Sequence, residues 1–257
     1  MRMGFGNTGG FDEGEYSIGP AQAPRTSGMD VHPVLGAVRF RVRELGGDPD
    51  GQVRKTVGIM RDRVLEDVQE PRFRWWVESR LPYWPGATDA EKVDAAYGLV
   101  QNSIKFQRDE MTGEGLGGWG SPDVVETIVR PLDMVQYIDS GVAIGDCDDY
   151  SMLTSACLTV LGIPNGFCTV AADDRDPNQY SHVYVVAFPL NEYGKRERLA
   201  LDTSHGDYPG WEVPNKFGKR TEWMVKDMPF SCNVGSMTLL AGALYAGYWI
   251  MKGLRVL

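Results

Sequence analysis

Gly145-Asp146-Cys147-Asp148-Asp149-Tyr150 is the stretch on which the reading of this chain turns. Behind it, Met152, Leu153, Ala156, Cys157, Val160 and Leu161 fall on one face of a helix. Gly162-Ile163-Pro164 then supplies a helix-ending glycine followed by proline. The spacing predicts a helix over 147–162 that starts at the cysteine. Asp146 is a natural N-cap, and Asp149, three residues on, can reach back as in a capping box. Both are therefore expected to support the helix start. That start puts the Cys147 sulfur at the positive end of the helix dipole, where thiol pKa falls. Three carboxylates crowd the same turn and oppose the thiolate. The dipole contributes about 0.3–1 kcal/mol at an exposed site, and one carboxylate at about 4 Å in water cancels roughly that much. A working thiolate here needs a cationic partner, and an imidazolium is the obvious one.

Ser181-His182-Val183-Tyr184-Val185-Val186-Ala187-Phe188 reads as a strand with His182, Tyr184, Val186 and Phe188 on one face. Arg198-Leu199-Ala200-Leu201-Asp202 follows a turn containing Asn191 and Gly194. A hairpin centred near Glu192 would set His182 directly opposite Asp202, with Cβ atoms about 4.5–5.5 Å apart. Cysteine, histidine and aspartate then fill the roles of nucleophile, base and orienter. Taken singly each has a blander reading. A lone buried cysteine is usually inert core, which is the expectation for Cys157, Cys168 and Cys232. A strand histidine is usually a satisfied polar residue, and an aspartate ending a strand usually forms a turn. Their joint order is what favours chemistry.

Strands are expected at 167–171, 181–188 and 198–203, and helices at 53–68, at 73–81 and at 89–104. Helices followed by consecutive strands give an α+β fold with an antiparallel sheet. Val38, Phe40 and Val42 alternate with Arg39, Arg41 and Arg43, predicting a short strand with one basic face. Residues 1–30 are rich in Gly, Pro and Ser and read as a flexible arm, with a strand and linker over 31–52. The glycine-rich stretch 111–120 lacks a Gly-Lys-Ser/Thr ending and reads as a surface or lid loop. A folded catalytic domain is expected over 53–230, and an apolar helix over 231–257. The uncharged run 237–251 within it would be about 22 Å long, against a hydrocarbon core of roughly 30 Å. A helix packed on protein is the favoured reading there, with a short membrane segment and an interfacial helix as alternatives.

A chain of 257 residues can bury one sizeable core. Its net charge of -9 argues against non-specific nucleic-acid binding, which needs cationic surface to release counterions. Residues 1–10 show no apolar segment behind Arg2, so no secretory signal is expected. Four cysteines without CxxC spacing predict a reducing compartment such as the cytoplasm, and a free thiol.

The runs 145–150, Gly162-Ile163-Pro164, Ser181-His182-Val183-Tyr184 and Leu201-Asp202-Thr203 together resemble the transglutaminase-like superfamily, especially bacterial and phage-borne members with a Gly-Asp-Cys-Asp-Asp centre. Lys105-Phe106 through Asp109 is similar to the aromatic-then-acidic strand of that family, and 54–60 to its leading helix. The resemblance covers about 53–205. It implies a papain-like, transglutaminase-like core in which the nucleophile heads a central helix packed on an antiparallel sheet. Cys147, His182 and Asp202 match the catalytic positions. Where the family often has proline after the aspartate this chain has Thr203, and the stretch 131–145 is longer than usual. Gln136 is a candidate second oxyanion donor beside the Cys147 backbone N–H.

The expected chemistry is attack of the Cys147 thiolate on an amide, through a thioester, on a protein or peptide substrate. Hydrolysis is favoured over cross-linking, and no cofactor is required. The rival reading is a structural or assembly component of a phage particle, attached through residues 1–45 and 231–257. Membrane contact through the C-terminal segment is the less favoured option. A metal site using Asp146, Asp148, Asp149 and His205 lacks any established ligand spacing and is set aside, with His205 read as a surface turn residue.

Overall fold

The computed structural model describes residues 14–18, 27–32, 36–44, 48–107 and 125–226. The glycine-rich loop at 111–120, Cys232 and the apolar segment 231–257 lie outside the described residues. The fold is α+β. Five helices are described: α1 (Pro49–Asp67), α2 (Pro71–Arg80), α3 (Asp89–Ser103), α4 (Pro131–Asp139) and α5 (Cys147–Val160). The strands are β1 (Gly14–Ile18), β2 (Ser27–His32), β3 (Gly36–Glu44), β4 (Lys105–Phe106), β5 (Val125–Thr127), β6 (Ile144–Gly145), β7 (Asn165–Val170), β8 (His182–Ala187), β9 (Leu199–Leu201) and β10 (Arg220–Met224).

The sheet that matters for function is antiparallel, in the order β10-β7-β8-β9. Strand alternation gives it two apolar faces. Phe167, Val183, Val185, Ala187 and Leu201 join the main core, while Cys168, Val170, Tyr184, Val186 and Ala200 form a second cluster on the other face. Helix α5 lies in the middle of the main core with nearly its whole length buried, so its hydroxyls need partners. They have them. Thr154 Oγ1 donates to the Tyr150 carbonyl (2.8 Å), and Ser155 Oγ donates to Asn165 Oδ1 (2.6 Å) at the start of β7. Helix α3 packs on α5 behind a full capping box between Thr88 and Glu91.

Several boundaries differ from the sequence reading. Helix α1 begins at Pro49, because Asp48 caps it by accepting from the Gly51 N–H (2.7 Å) and proline suits the first helical position. Helix α4 and strand β10 have no counterpart in the sequence expectation. Within the stretch read as a flexible arm, 14–18 is a strand, and the strand 27–32 begins there and runs into the segment read as strand and linker; both belong to a sheet ordered β2-β3-β1-β5. Pairing with β3 satisfies backbone groups whatever the local composition, so the absence of apolar periodicity there was no guide. Among the described residues no helix is long and apolar enough to cross a membrane.

Candidate active site

Strand β6 ends at Gly145 and runs straight into the cap of α5. Asp146 Oδ1 accepts from the Asp148 N–H (3.3 Å), and Asp149 Oδ2 accepts from the Asp146 N–H (3.4 Å), so the anticipated capping box is present. Asp149 does more than cap, since its Oδ1 accepts from the buried Val129 N–H (2.6 Å) and ties the preceding segment to the helix start. A Cβ on residue 145 would sit 2.6 Å from Asp149 Oδ2 and 2.7 Å from its Cβ, which is why the motif opens with glycine. Asp148 and Asp149 are buried and accept backbone N–H groups. The carboxylates that sequence reading set against the thiolate are therefore part of the scaffold.

Cys147 is the first residue of α5 and is partly exposed, whereas Cys157 and Cys168 are buried. Burial pushes the Cys157 thiol up to about 12 and raises that of Cys168 as well, in keeping with inert core cysteines. One turn along α5, Ser151 Oγ lies 2.6 Å from the Cys147 carbonyl and 3.2 Å from the Val183 carbonyl. A single hydroxyl thus pins the first turn of α5 to the residue that follows His182.

His182 opens β8, and its Nε2 lies 2.7 Å from Asp202 Oδ2. The pair arises by a different register from the one expected. Observed partners are Val185 with Leu201, Val186 with Ala200 and Ala187 with Leu199, and a Leu190–Arg196 bridge continues the same register. This hairpin is centred on Tyr193, not Glu192, so Asp202 lies past the end of β9 and reaches His182 on the diagonal. The loop sets that register. Asn191 Oδ1 accepts from the Tyr193 and Lys195 N–H groups (2.9 Å each), and Gly194 takes a φ of 71°. Alternation alone would group His182 with Tyr184 and Val186 on the second face. Its place at the end of the strand is what puts it beside the 202–206 turn.

That turn is braced from every side. Asp202 Oδ1 accepts from the His205 N–H and the Ser204 hydroxyl, 3.0 Å each. Burial pushes the Asp202 carboxyl up, but the His182 bond and charge, together with the His205 N–H and Ser204, outweigh it and hold the pKa below the usual value. Tyr97 on α3 donates to the carbonyls of Asp202 (3.2 Å) and Gly206 (2.7 Å). A Cβ at Gly206 would sit 2.6 Å from the Asp202 carbonyl oxygen, so this close turn requires glycine. Thr203, standing where the resemblance leads one to look for proline, is buried and hydrogen-bonds Thr154 of α5 (3.0 Å). A proline could not make that bond.

Sequence reading underrated His205. It is a turn residue, but its ring meets His182 edge-on at 4.8 Å and Phe106 at 5.0 Å, and Phe106 in turn lies 6.3 Å from Tyr150 of α5. The only sequence signal was its place three residues after Asp202. Tyr184, two residues beyond His182, stacks on its ring at 5.9 Å and donates to Glu212 (2.7 Å). Gln136 lies on α4, where its amide donates to the Leu132 carbonyl (3.2 Å). That bond uses one of the two N–H donors of the amide. The set-aside metal grouping is divided: Asp146, Asp148 and Asp149 form one cluster, and His205 belongs to another with His182 and Asp202.

No family model and no curated protein matches the chain. Among solved structures it is similar to a candidate cysteine protease from Cytophaga hutchinsonii, at 15% identity and a TM-score of 0.36, over 64% of this chain and 54% of that one. A candidate protease from Parabacteroides distasonis is similar at 14% identity and 0.36, over 70% and 31%. The Rad4–Rad23 complex bound to a 6-4 photoproduct UV lesion is similar at 10% identity and 0.34, over 71% and 48%. The chain thus spans about half the length of the first and under a third of the second. At such scores the likeness is partial, and the site is assigned from its own geometry.

Proposed function

We propose that this chain is a cysteine enzyme of transglutaminase-like type that cleaves amide bonds in a protein or peptide substrate. The observation that carries the reading is the 2.7 Å contact between His182 Nε2 and the buried Asp202 carboxylate, on a strand that Ser151 pins to the first turn behind Cys147. Asp202 fixes the ring so that Nδ1 is the nitrogen left to exchange a proton, and it stabilises the cation that forms.

In the proposed cycle Nδ1 takes the Cys147 thiol proton and the sulfur attacks the carbonyl carbon. The electron pair of the C=O bond moves onto oxygen, and the Cys147 backbone N–H is the donor proposed to receive it. Collapse of the intermediate breaks the C–N bond, and His182 hands its proton to the departing amine. Water, deprotonated by the same nitrogen, then attacks the thioester and releases a carboxylic acid and the thiol. Hydrolysis is favoured because water is always at hand. An amine acceptor would give cross-linking, and mass spectrometry of a peptide substrate with and without added primary amine separates the two.

The test is alkylation of Cys147 by a thiol-directed electrophile across pH. Wild-type protein should react well below the pH of about 8.5 at which an ordinary thiol ionises. His182→Ala should move the reaction up into that ordinary range, and Cys147→Ala should abolish it at this position. An unchanged pH profile in His182→Ala would sink the proposal.

A further inference from the structure

The cluster of His182, Asp202 and His205 holds one more imidazole than the acyl chemistry uses. We propose that it is a binding site for a divalent transition ion of the zinc class, and that the ion switches the thiol chemistry off by occupying His182. One ligand atom from each of the three residues lies within 4.8 Å of the other two. Ligands at about 2.0–2.1 Å on a tetrahedral ion stand roughly 3.3 Å apart, so a modest adjustment of the side chains closes the site. His182 Nε2 and Asp202 Oδ2, 2.7 Å apart across a hydrogen bond, give up that bond and open slightly to admit the ion between them.

The third ligand faces solvent. The His205 side chain is 47% exposed, against 9% for His182 and 0% for Asp202. Its Nδ1 stands 4.0 Å from Asp202 Oδ1 and 2.9 Å from Ser204 Oγ. Turning this ring towards the ion gives up the Ser204 contact and re-angles the ring against Phe106 and His182. Solvent reaches the cluster on the His205 side, where a water completes the coordination, as in three-ligand zinc sites. Two imidazoles and one carboxylate suit zinc, cobalt, nickel or copper, whereas magnesium and calcium require oxygen-rich shells. Outer support is built in, because the His205 N–H and the Ser204 hydroxyl both orient the Asp202 carboxylate.

A neutral imidazole has a single lone pair. Once His182 gives it to the ion, no nitrogen remains to accept the Cys147 proton. This inhibitory half rests on the proposed function; the binding half does not.

Cobalt(II) titrated into the metal-free full chain reads binding optically, through the visible band of a four- or five-coordinate site. His205→Phe keeps a ring for the Phe106 and His182 contacts but has no ligand atom, and His205→Ala serves should that variant not fold. The band should appear in wild type and in Cys147→Ala. It should be lost or weakened in the His205 variant by at least the roughly 10–100-fold that removal of outer-shell partners costs. Zinc should slow alkylation of Cys147 in wild type and not in the His205 variant. Absence of the band, its survival without His205, or its loss in Cys147→Ala overturns the site. A His205-dependent band with an inert Cys147 would sink the acyl chemistry and leave the metal site standing. A reactive Cys147 without the band would do the reverse.

Discussion

Asp202 is the residue around which the site is organised, because both of its oxygens are committed. One faces His182, and the other accepts from the backbone of His205 and the hydroxyl of Ser204. Its place as the end of an apolar run, followed by Thr-Ser-His-Gly, was legible in the sequence. The duties of Ser204 and His205 were not, since a polar residue in a turn usually needs no partner beyond water. Asp202→Asn keeps the shape and removes the charge. We expect the alkylation or hydrolysis rate at neutral pH to fall on the order of 10²–10⁴-fold, the range of a lost acid–base contribution. Stability should respond with a definite sign. A carboxyl whose folded pKa lies below its unfolded value stabilises the fold fully above the ordinary carboxylate range, near pH 4, and loses that contribution as the pH falls through the folded pKa. Denaturant melts of wild type and Asp202→Asn should therefore differ most at neutral pH and converge on acidification. A difference that widened towards low pH would contradict the assignment.

Among the elements, the start of α5 is where sequence and structure agree most closely, and the reason is local. A cap needs only residues within one turn of each other, so Asp146 and Asp149 could be read directly. What the turn could not reveal is that Asp149 also accepts the Val129 N–H, twenty residues upstream. Asp149→Ala should thus cost more than an ordinary cap, roughly 2–4 kcal/mol, because it removes a charged acceptor and strands a buried donor. Urea unfolding measures this; a loss under about 1 kcal/mol would mean that water replaces the carboxylate. The β8–β9 hairpin shows the opposite case. Its strands were evident from alternation, but its register is fixed by Asn191 and Gly194 in the loop, and an assumed centre one residue early put the pairing off by two positions. Helix α4 escaped notice because it is short, nine residues, too few turns for its apolar stripe to stand out. Strand β10 lies at the sheet edge with only partial burial, where alternation carries little signal.

For the molecule as a whole, the ties that hold the site together span long stretches of chain, which is why one sequence read alone could not supply them. Tyr97 props the 202–206 turn, Thr203 reaches Thr154, and Asp149 holds Val129. The deepest tie joins the end of α1 to the start of α4. Asp67 is fully buried, takes the Arg130 guanidinium through both of its oxygens and accepts the Leu132 N–H (2.8 Å). Burial alone would lower the Arg130 pKa, but its bonds and charge pairing with Asp67 outweigh that and raise it, so the guanidinium remains charged. Taking away one partner leaves an ion in the core with no counter-charge, and that costs more than the pair itself contributes. Arg130→Ala should cost about 3–5 kcal/mol in urea unfolding. Arg74→Ala, which breaks the exposed pair with Glu78 on α2, should cost only about 0.3–0.5 kcal/mol. Combining Arg130→Met with Asp67→Asn keeps an acceptor for the Leu132 N–H and removes both charges. The double variant should recover most of the loss seen in Arg130→Ala, so a double-mutant cycle shows strong coupling. Simple additivity in that cycle would mean that Arg130 acts through its packing and not through the charge it brings to Asp67.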